Sequence, residues 1–394
     1  MNSKLIVAMS AFLLMGLLAW QAAANNPQLF GDPVAGLPAE QLAKFDAGKD
    51  EFLDEDSIEE GLGPVFNGTS CAECHSGPAV GGDSDITETR FGRITNHKFD
   101  PLTQFGGSLI QSRGIGEIPD SPCNVSGETV PAQATIVAQR KTTPLFGLGL
   151  VDHVPDQFFL ALAQLQNRIT PATAGRPNRV TDIATGRLVV GKFGWKSQVP
   201  NLHQFSGDAY LNEMGVTSPM FPNENCPNGN CALLAACGVG PGPDDDGSAV
   251  EAFTDFMTLL GPPPRGPRTR RTFAGELVFF KIGCAACHLP VLETGRSSVA
   301  AFDRVKFYPF SDFLLHDMGG LGDGIEQGRA SGREMRTAPL WALRARNTFL
   351  HDGRATNVKD AILAHDGQGA HAAHRFQRLS SRDVNDLLAF LNSL

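Results

Sequence analysis

The pentapeptide Cys71-Ala-Glu-Cys-His75 recurs as Cys284-Ala-Ala-Cys-His288, and this repeat constrains the chain more than any other feature. Cys-x-x-Cys-His is the attachment signature of a c-type haem. The two thiols add across the two vinyl groups, and a two-residue spacer on a helical turn matches the vinyl separation. The adjacent histidine then ligates the iron. A single Cys-x-x-Cys would also fit a redox dithiol, a disulfide or half a zinc site. Two copies, both ending in His, predict two covalently bound haem c groups. Cys71, Cys74, Cys284 and Cys287 are the expected attachment points, and His75 and His288 the proximal iron ligands.

The start of the chain predicts where this chemistry takes place. Lys4 precedes a mostly apolar stretch, Leu5 to Trp20, and Ala22-Ala-Ala24 follows with small residues suited to cleavage. Residues 1–24 read as an export signal, since the apolar stretch is short for a membrane anchor. A soluble periplasmic protein of a Gram-negative bacterium is the expectation, with no stable membrane span after processing. A formal net charge of −9 argues against nucleic acid, whose phosphates would repel it, and suits a basic redox partner. Four further cysteines (Cys123, Cys226, Cys231 and Cys237) predict two disulfides. Three connectivities are open; both Cys226–Cys231 and Cys226–Cys237 suit the local loop.

With 394 residues, the chain is long enough for two or three domains. The expected fold is mainly α, with two cytochrome c-like haem domains, long loops and a minor β-hairpin. Gly261-Pro-Pro-Pro-Arg-Gly-Pro267 is the strongest break. It divides an N-terminal haem domain with insertions (25–262) from a C-terminal one (268–394). Helical patterns occupy 156–168, 249–260, 272–282, 358–363 and 383–394, and 180–190 reads as a hairpin turning at Thr185-Gly186. From His75 to about Pro131 the chain is rich in Gly, Pro and polar residues and reads as long loops. Phe66 and Phe279 each lie five residues before a motif cysteine, which predicts a helix delivering the cysteines in both places. Arg140-Lys-Thr-Thr-Pro-Leu-Phe-Gly-Leu148 is echoed by Arg336-Thr-Ala-Pro-Leu-Trp-Ala-Leu343, the mark of an internal duplication. Arg140 and Arg336 are expected to contact haem propionates or to hold the motif loops. The acidic turn Asp244-Asp-Asp-Gly247 is a candidate calcium site.

Several segments resemble the di-haem oxidoreductase family related to bacterial di-haem cytochrome c peroxidases. They are Gly61-Leu-Gly-Pro-Val-Phe-Asn67 with the first motif, the run from Arg140 to Asp152, Lys192–Lys196, Glu213–Ser218, Tyr308–Met318 and Phe349–Ala355. The resemblance implies a sixth ligand of the C-terminal haem fourteen residues after a His-x-Gly turn. His351 opens such a turn and His365 stands at that spacing, where Met is usual, with His316 and Met318 as rivals. It also implies a Trp between the haems and a distal Gln and Glu at a reactive N-terminal haem. Trp195, Gln204 and Glu213 occur in that order, while Met214 or His97 could instead cap that iron. The implied partners are a small electron-donor protein of cytochrome or cupredoxin type and peroxide or another small oxidant. A di-haem electron carrier without its own substrate, and an oxidant of a protein or thiol partner, are the alternatives.

Overall fold

The computed structural model describes residues 28–237 and 242–394, so the expected export signal lies outside the described residues. No described helix is long and apolar enough to cross a membrane. Helix α1 (Ala39–Leu53) is built from good helix formers and buries Phe45, Gly48 and Phe52, which share one face at helical spacing. Helix α2 (Asp156–Ile169) follows, and α3 (Leu202–Ala209) runs directly into a π-turn, Tyr210–Met214. Helix α4 is Ser248–Leu259, α5 Arg270–Ile282, α6 Val358–Leu363 and α7 Ser381–Leu391.

Two helix crossings organise these elements: α1 packs on α4, and α5 packs on α7. Each crossing uses a glycine. A Cβ at Gly48 would lie 2.3 Å from the Ala252 carbonyl oxygen, and one at Gly275 would lie 1.9 Å from that of Asp386. Four residues after each glycine, on the same helix, comes a phenylalanine that meets one on the crossing helix. Phe52 meets Phe256 at 4.8 Å between ring centroids, and Phe279 meets Phe390 at 5.5 Å. The repeat is therefore Gly48-x-x-x-Phe52 against Gly275-x-x-x-Phe279.

This corrects the expected pairing of Phe66 with Phe279. Phe66 lies in a two-residue extended segment, Val65-Phe66, paired with Arg113-Gly114. Helix α1 ends at Leu53, and an insertion carries the chain to Cys71. Helix α5 ends at Ile282, two residues before Cys284.

Helices hold about 37% of the described residues and strands 16%, so β-structure goes well beyond one minor hairpin. The stretch expected as loops contains β1 (Thr87–Thr95), which pairs antiparallel with β2 (Lys98–Asp100), β3 (Leu109–Ile110) and β4 (Ile136–Lys141). Threonine, isoleucine and phenylalanine in β1 favour this pleat. The β1–β2 turn is Asn96-His97, both at positive φ (51° and 62°), as a two-residue hairpin turn requires. The expected hairpin forms from β5 (Asn178–Thr181) and β6 (Leu188–Gly191). A last pair, β7 (Leu315–Asp317) and β8 (Glu334–Arg336), lies beyond the second motif.

One apolar core draws only on residues 278–394, around Phe279, Phe310 and Phe390. The larger core runs from Val34 to Leu260 but also takes Leu292, Phe302, Phe307, Phe313, Leu314 and Trp341. The proline-rich break is thus a packed junction. Arg265 lies over the Phe310 ring at 5.4 Å, and Gly266 N–H donates to the Ser393 carbonyl at 2.9 Å. The disulfides are Cys123–Cys237 and Cys226–Cys231.

Candidate functional site

The first motif is a single turn, Cys71–Cys74, capped by Ser70, whose side chain accepts from Glu73 N–H. Glu73 is in turn clamped by the Arg113 guanidinium and by Thr69 N–H at 3.1 Å. His75 follows. Its Nδ1 donates to the Gly82 carbonyl at 3.0 Å, and Phe52 packs 6.0 Å from its ring. Burial pushes the imidazole down to about 4, so it is neutral at pH 7. A neutral ring whose Nδ1–H is fixed by a carbonyl presents the Nε2 lone pair, the arrangement seen in ligating histidines.

The second motif repeats this. His288 Nδ1 donates to the Phe310 carbonyl at 2.9 Å, and Phe279 lies 6.5 Å from the ring. Burial, with nearby His365, pushes His288 to about 4. His365, delivered by α6, donates Nδ1–H to the Ala361 carbonyl at 2.8 Å, and its ring centroid is 6.4 Å from that of His288. Two metal–nitrogen bonds of about 2 Å plus two ring radii of about 1.1 Å span almost that distance. The gap therefore fits one iron between two imidazoles.

The rivals for this position are placed elsewhere. His316 Nε2 is 3.0 Å from Asp312 and its Nδ1 is 3.5 Å from Cys287 Sγ. Burial opposes its charge, but Asp312 outweighs this and holds it well above the usual histidine range. A Cβ at Gly369 would meet both His365 Cδ2 (3.1 Å) and Met318 Cε (3.2 Å), so Met318 flanks the His365 ring. Cys71, Cys74, Cys284 and Cys287 are free thiols, whereas the other four cysteines are paired. This donor set fits two c-type haems.

Beyond the first motif stands a carboxyl. Glu213 lies in the π-turn, a distortion that recurs at functional sites. Its Oε2 accepts from Asn67 Nδ2 at 2.8 Å, and its carbonyl accepts from Asn67 and Gly68 N–H. Asn67 is itself oriented, because its Oδ1 accepts from Ser112 N–H and hydroxyl at 2.9 and 3.0 Å. Burial, reinforced by Glu88, pushes Glu213 up to about 7, against the opposing pull of Arg90 and Asn67. Burial first, then the Glu213 charge, pushes the Cys74 thiol up to about 11, which sets this carboxyl beside the first motif.

Gln204 does not join Glu213. Its Oε1 accepts from Ile183 N–H at 2.9 Å and its Nε2 reaches the Thr181 carbonyl at 3.5 Å, so the amide pins the β5–β6 hairpin. Trp195 donates its indole N–H to the Lys141 carbonyl at 2.8 Å and meets His351 edge-on at 6.2 Å. His97 is exposed at its hairpin tip, and Met214 is buried in the larger core.

The remaining expectations resolve as follows. Arg140 is buried and bonds Asp323 and Gln327 at 2.7 and 2.6 Å. Arg336 donates to the Gly194 and Thr337 carbonyls at 2.7 and 3.2 Å. In the acidic turn, Asp244 bonds the Thr217 hydroxyl at 2.6 Å, Asp245 caps α4 through Ala249 N–H, and Asp246 takes Ser248 N–H. These carboxylates diverge, and no group of three or more His, Cys, Asp or Glu gathers as a metal site among the described residues. Sequence reasoning missed Arg90 and Glu88, and Asp312 stood in a quoted segment without being marked as the partner of His316. Asn67 stood in a quoted segment, yet nothing there marked it as the partner of Glu213.

The sequence matches the model of a family described as "Di-haem oxidoreductase, putative peroxidase" over residues 123–394. Among solved structures, it resembles a hydrazine synthase of Kuenenia stuttgartiensis at 15% identity and TM-score 0.42, covering 95% of this chain and 97% of that one. It also resembles a MauG-like protein associated with microbial copper homeostasis, at 14% identity and TM-score 0.41, covering 95% of each chain. A diheme peroxidase from Burkholderia thailandensis matches at 15% identity and TM-score 0.41, covering 94% and 93%. No curated protein matches the chain.

Proposed function

This chain belongs to the di-haem oxidoreductase family, and from that premise we propose that it is an exported, periplasmic peroxidase with two covalent haem c groups. The observation that carries the reading is an asymmetry between the two motifs. At the second, His365 faces His288 at 6.4 Å, a closed pair suited to electron entry. At the first, the oriented group nearby is a carboxyl, Glu213, pushed up to about 7. The two cytochrome c-like units are assigned to 25–262 and 268–394.

Bound haem would supply the redox equivalents and the Lewis-acid iron. The protein supplies position and protons. Cys71, Cys74, Cys284 and Cys287 provide the thioether attachment points. His75 and His288 are oriented by the Gly82 and Phe310 carbonyls to offer Nε2. Trp195, fixed on the Lys141 carbonyl, is assigned the electron path from the second motif to the first. Two electrons and two protons convert peroxide to two waters. Half-ionised near pH 7, the Glu213 carboxyl can take a proton from one peroxide oxygen and return it to the departing one. Asn67 holds Oε2 in place for both transfers. Gln204 keeps a positioning role, through the hairpin. A small cytochrome or cupredoxin is the assigned electron donor, drawn to the acidic surface of a chain with formal net charge −9.

Glu213→Gln tests this. It preserves size and hydrogen bonding but cannot carry the proton. Peroxide turnover should fall about a hundredfold or more, with haem content and the second haem's potential unchanged. Turnover equal to wild type would make Glu213 a bystander. Two low-spin ferric haems and no turnover in the wild type would favour the electron-carrier reading instead.

A further inference from the structure

Where the two echoed segments meet, between the motifs, the protein buries cations without enough anions. Thr142-Thr143-Pro144 and Ala338-Pro339 both line a cavity of about 30 Å³, room for roughly two waters or one carboxylate group. Three cations line it (Lys141, Arg336 and Arg346) against one carboxylate, Asp83. That carboxylate is already engaged by Lys141 at 3.3 Å.

Arg336 is buried, and its bonds go to two carbonyls and to the face of Phe313, 5.3 Å away. None of these neutralises it. Arg346 donates to the Trp341 carbonyl at 3.3 Å, feels the Asp83 charge that Lys141 already engages, and keeps its Nε buried with no partner among the described residues. Burial and the neighbouring Arg346 push Arg336 down to about 10. Two guanidiniums lining one small cavity, Arg336 buried and Arg346 half-buried with its Nε out of water, are costly unless an anion joins them.

The surroundings indicate which anion. Asp83 directly follows Gly82, whose carbonyl holds His75. The Thr337 carbonyl, next to Arg336, accepts from Ser311, which directly follows Phe310, whose carbonyl holds His288. The cavity is therefore one residue removed from the proximal support of both motifs, with Trp195 in its wall. The carboxylates a haem c carries are its propionates, on the ring edge away from the thioethers.

We infer that Arg336 and Arg346 form a propionate clamp at the junction of the two haem sites. This rests on the di-haem reading above. Arginine suits the role because its planar fork meets a carboxylate with two parallel hydrogen bonds.

The test is spectroelectrochemistry on Arg346→Gln holoprotein, with a pyridine haemochrome assay for haem content. Removing a buried positive charge beside a propionate favours ferric iron. One midpoint should fall by about tenfold in the ferric/ferrous equilibrium, ~59 mV for a one-electron couple, with two haems still present. Arg346→Lys should recover most of the shift. Two haems with both midpoints at the wild-type value overturn the inference alone. Wild-type protein with fewer than two haems overturns it together with the reading it rests on. If phosphate added to the wild type at constant ionic strength moves the midpoint as far as the mutation does, the occupant is an external anion and the clamp is rejected. Should Arg346→Gln fail to mature, a holoprotein crystal structure decides. A propionate oxygen within hydrogen-bond distance of Arg336 or Arg346 supports the clamp, and its absence from both refutes it.

Discussion

At Glu213 a single ionisation links function to pH. Its carboxyl is raised to about 7 in the folded protein, mainly by burial, from an ordinary value near 4.5. The ionised form takes the first proton, so peroxide turnover should rise with pH through about 7, and Glu213→Gln should flatten that limb. A wild-type profile flat from pH 6 to 8 would count against the assignment. The stability sign is the reverse. Because the folded form holds its proton more tightly, this group's contribution is full below the unfolded value and is lost as pH rises towards 7. His365 carries a second residue-scale prediction. His365→Met should keep the second haem low-spin but raise its potential, since a thioether favours Fe(II). An unchanged spectrum and potential would remove His365 from the iron. The residues legible in the sequence were those whose chemistry requires contiguity, as in Cys71 to His75. Gln204 misled because spacing cannot reveal that a side chain is spent on a backbone. Arg346 stayed hidden because its place beside Arg336, with one shared carboxylate, exists only in three dimensions.

The crossing of α5 on α7 turns on Gly275, where two opposing effects can be weighed. Alanine is favoured over glycine in a helix by about 1 kcal/mol. A methyl group there, however, would lie 1.9 Å from the Asp386 carbonyl oxygen, which belongs to backbone and cannot swing aside. Overpacking typically costs about 1–3 kcal/mol, and more against a rigid neighbour. The clash should win, so Gly275→Ala should lower the denaturation midpoint of the holoprotein. A stabilised variant would show that the helices can separate freely. The same geometry explains why the repeated motif was legible but the register of the helices around it was not. Cys-x-x-Cys-His aligned the halves at the motif, and counting back from it matched Phe66 to Phe279. The true counterpart of Phe279 is Phe52, displaced by the insertion after α1. The β1–β4 sheet was hidden for a different reason: its turn is Asn96-His97 rather than the Asn-Gly that usually announces a hairpin.

Across the whole molecule, one buried carboxylate joins the chain on either side of the proline-rich junction. Asp323 takes Arg140 at 2.7 Å and Lys196 at 2.8 Å, and the side chains of all three are at most 1% exposed. Burial works against the Asp323 charge, but the two cations hold it below the usual carboxylate range. Asp323→Asn would leave Arg140 with the neutral Gln327 amide and the more distant Glu88 carboxylate, at 3.8 Å, and Lys196 with hydrogen bonds to carbonyls. Breaking such a pair costs about 3–5 kcal/mol, readable as a lower denaturant midpoint. A variant as stable as wild type would mean that the cations find other partners. The proline-rich segment reads as a break, but the sequence could not show that residues from 292 to 341 pack on the same core as residues 34–260.

The cysteine arrangement imposes an order of events on maturation. Eight thiols oxidised at random can pair in 105 ways, whereas four can pair in only three. If both haems are joined first, Cys71, Cys74, Cys284 and Cys287 leave the pool before oxidation begins. The remaining choice is then simple, because Cys226 and Cys231 are five residues apart while Cys123 and Cys237 are separated by 114. Oxidation before attachment would let each motif close on itself, and a closed dithiol has no thiol to give a vinyl group. A reductant that keeps the motif thiols open must therefore act before, or spare, the long-range Cys123–Cys237 bridge.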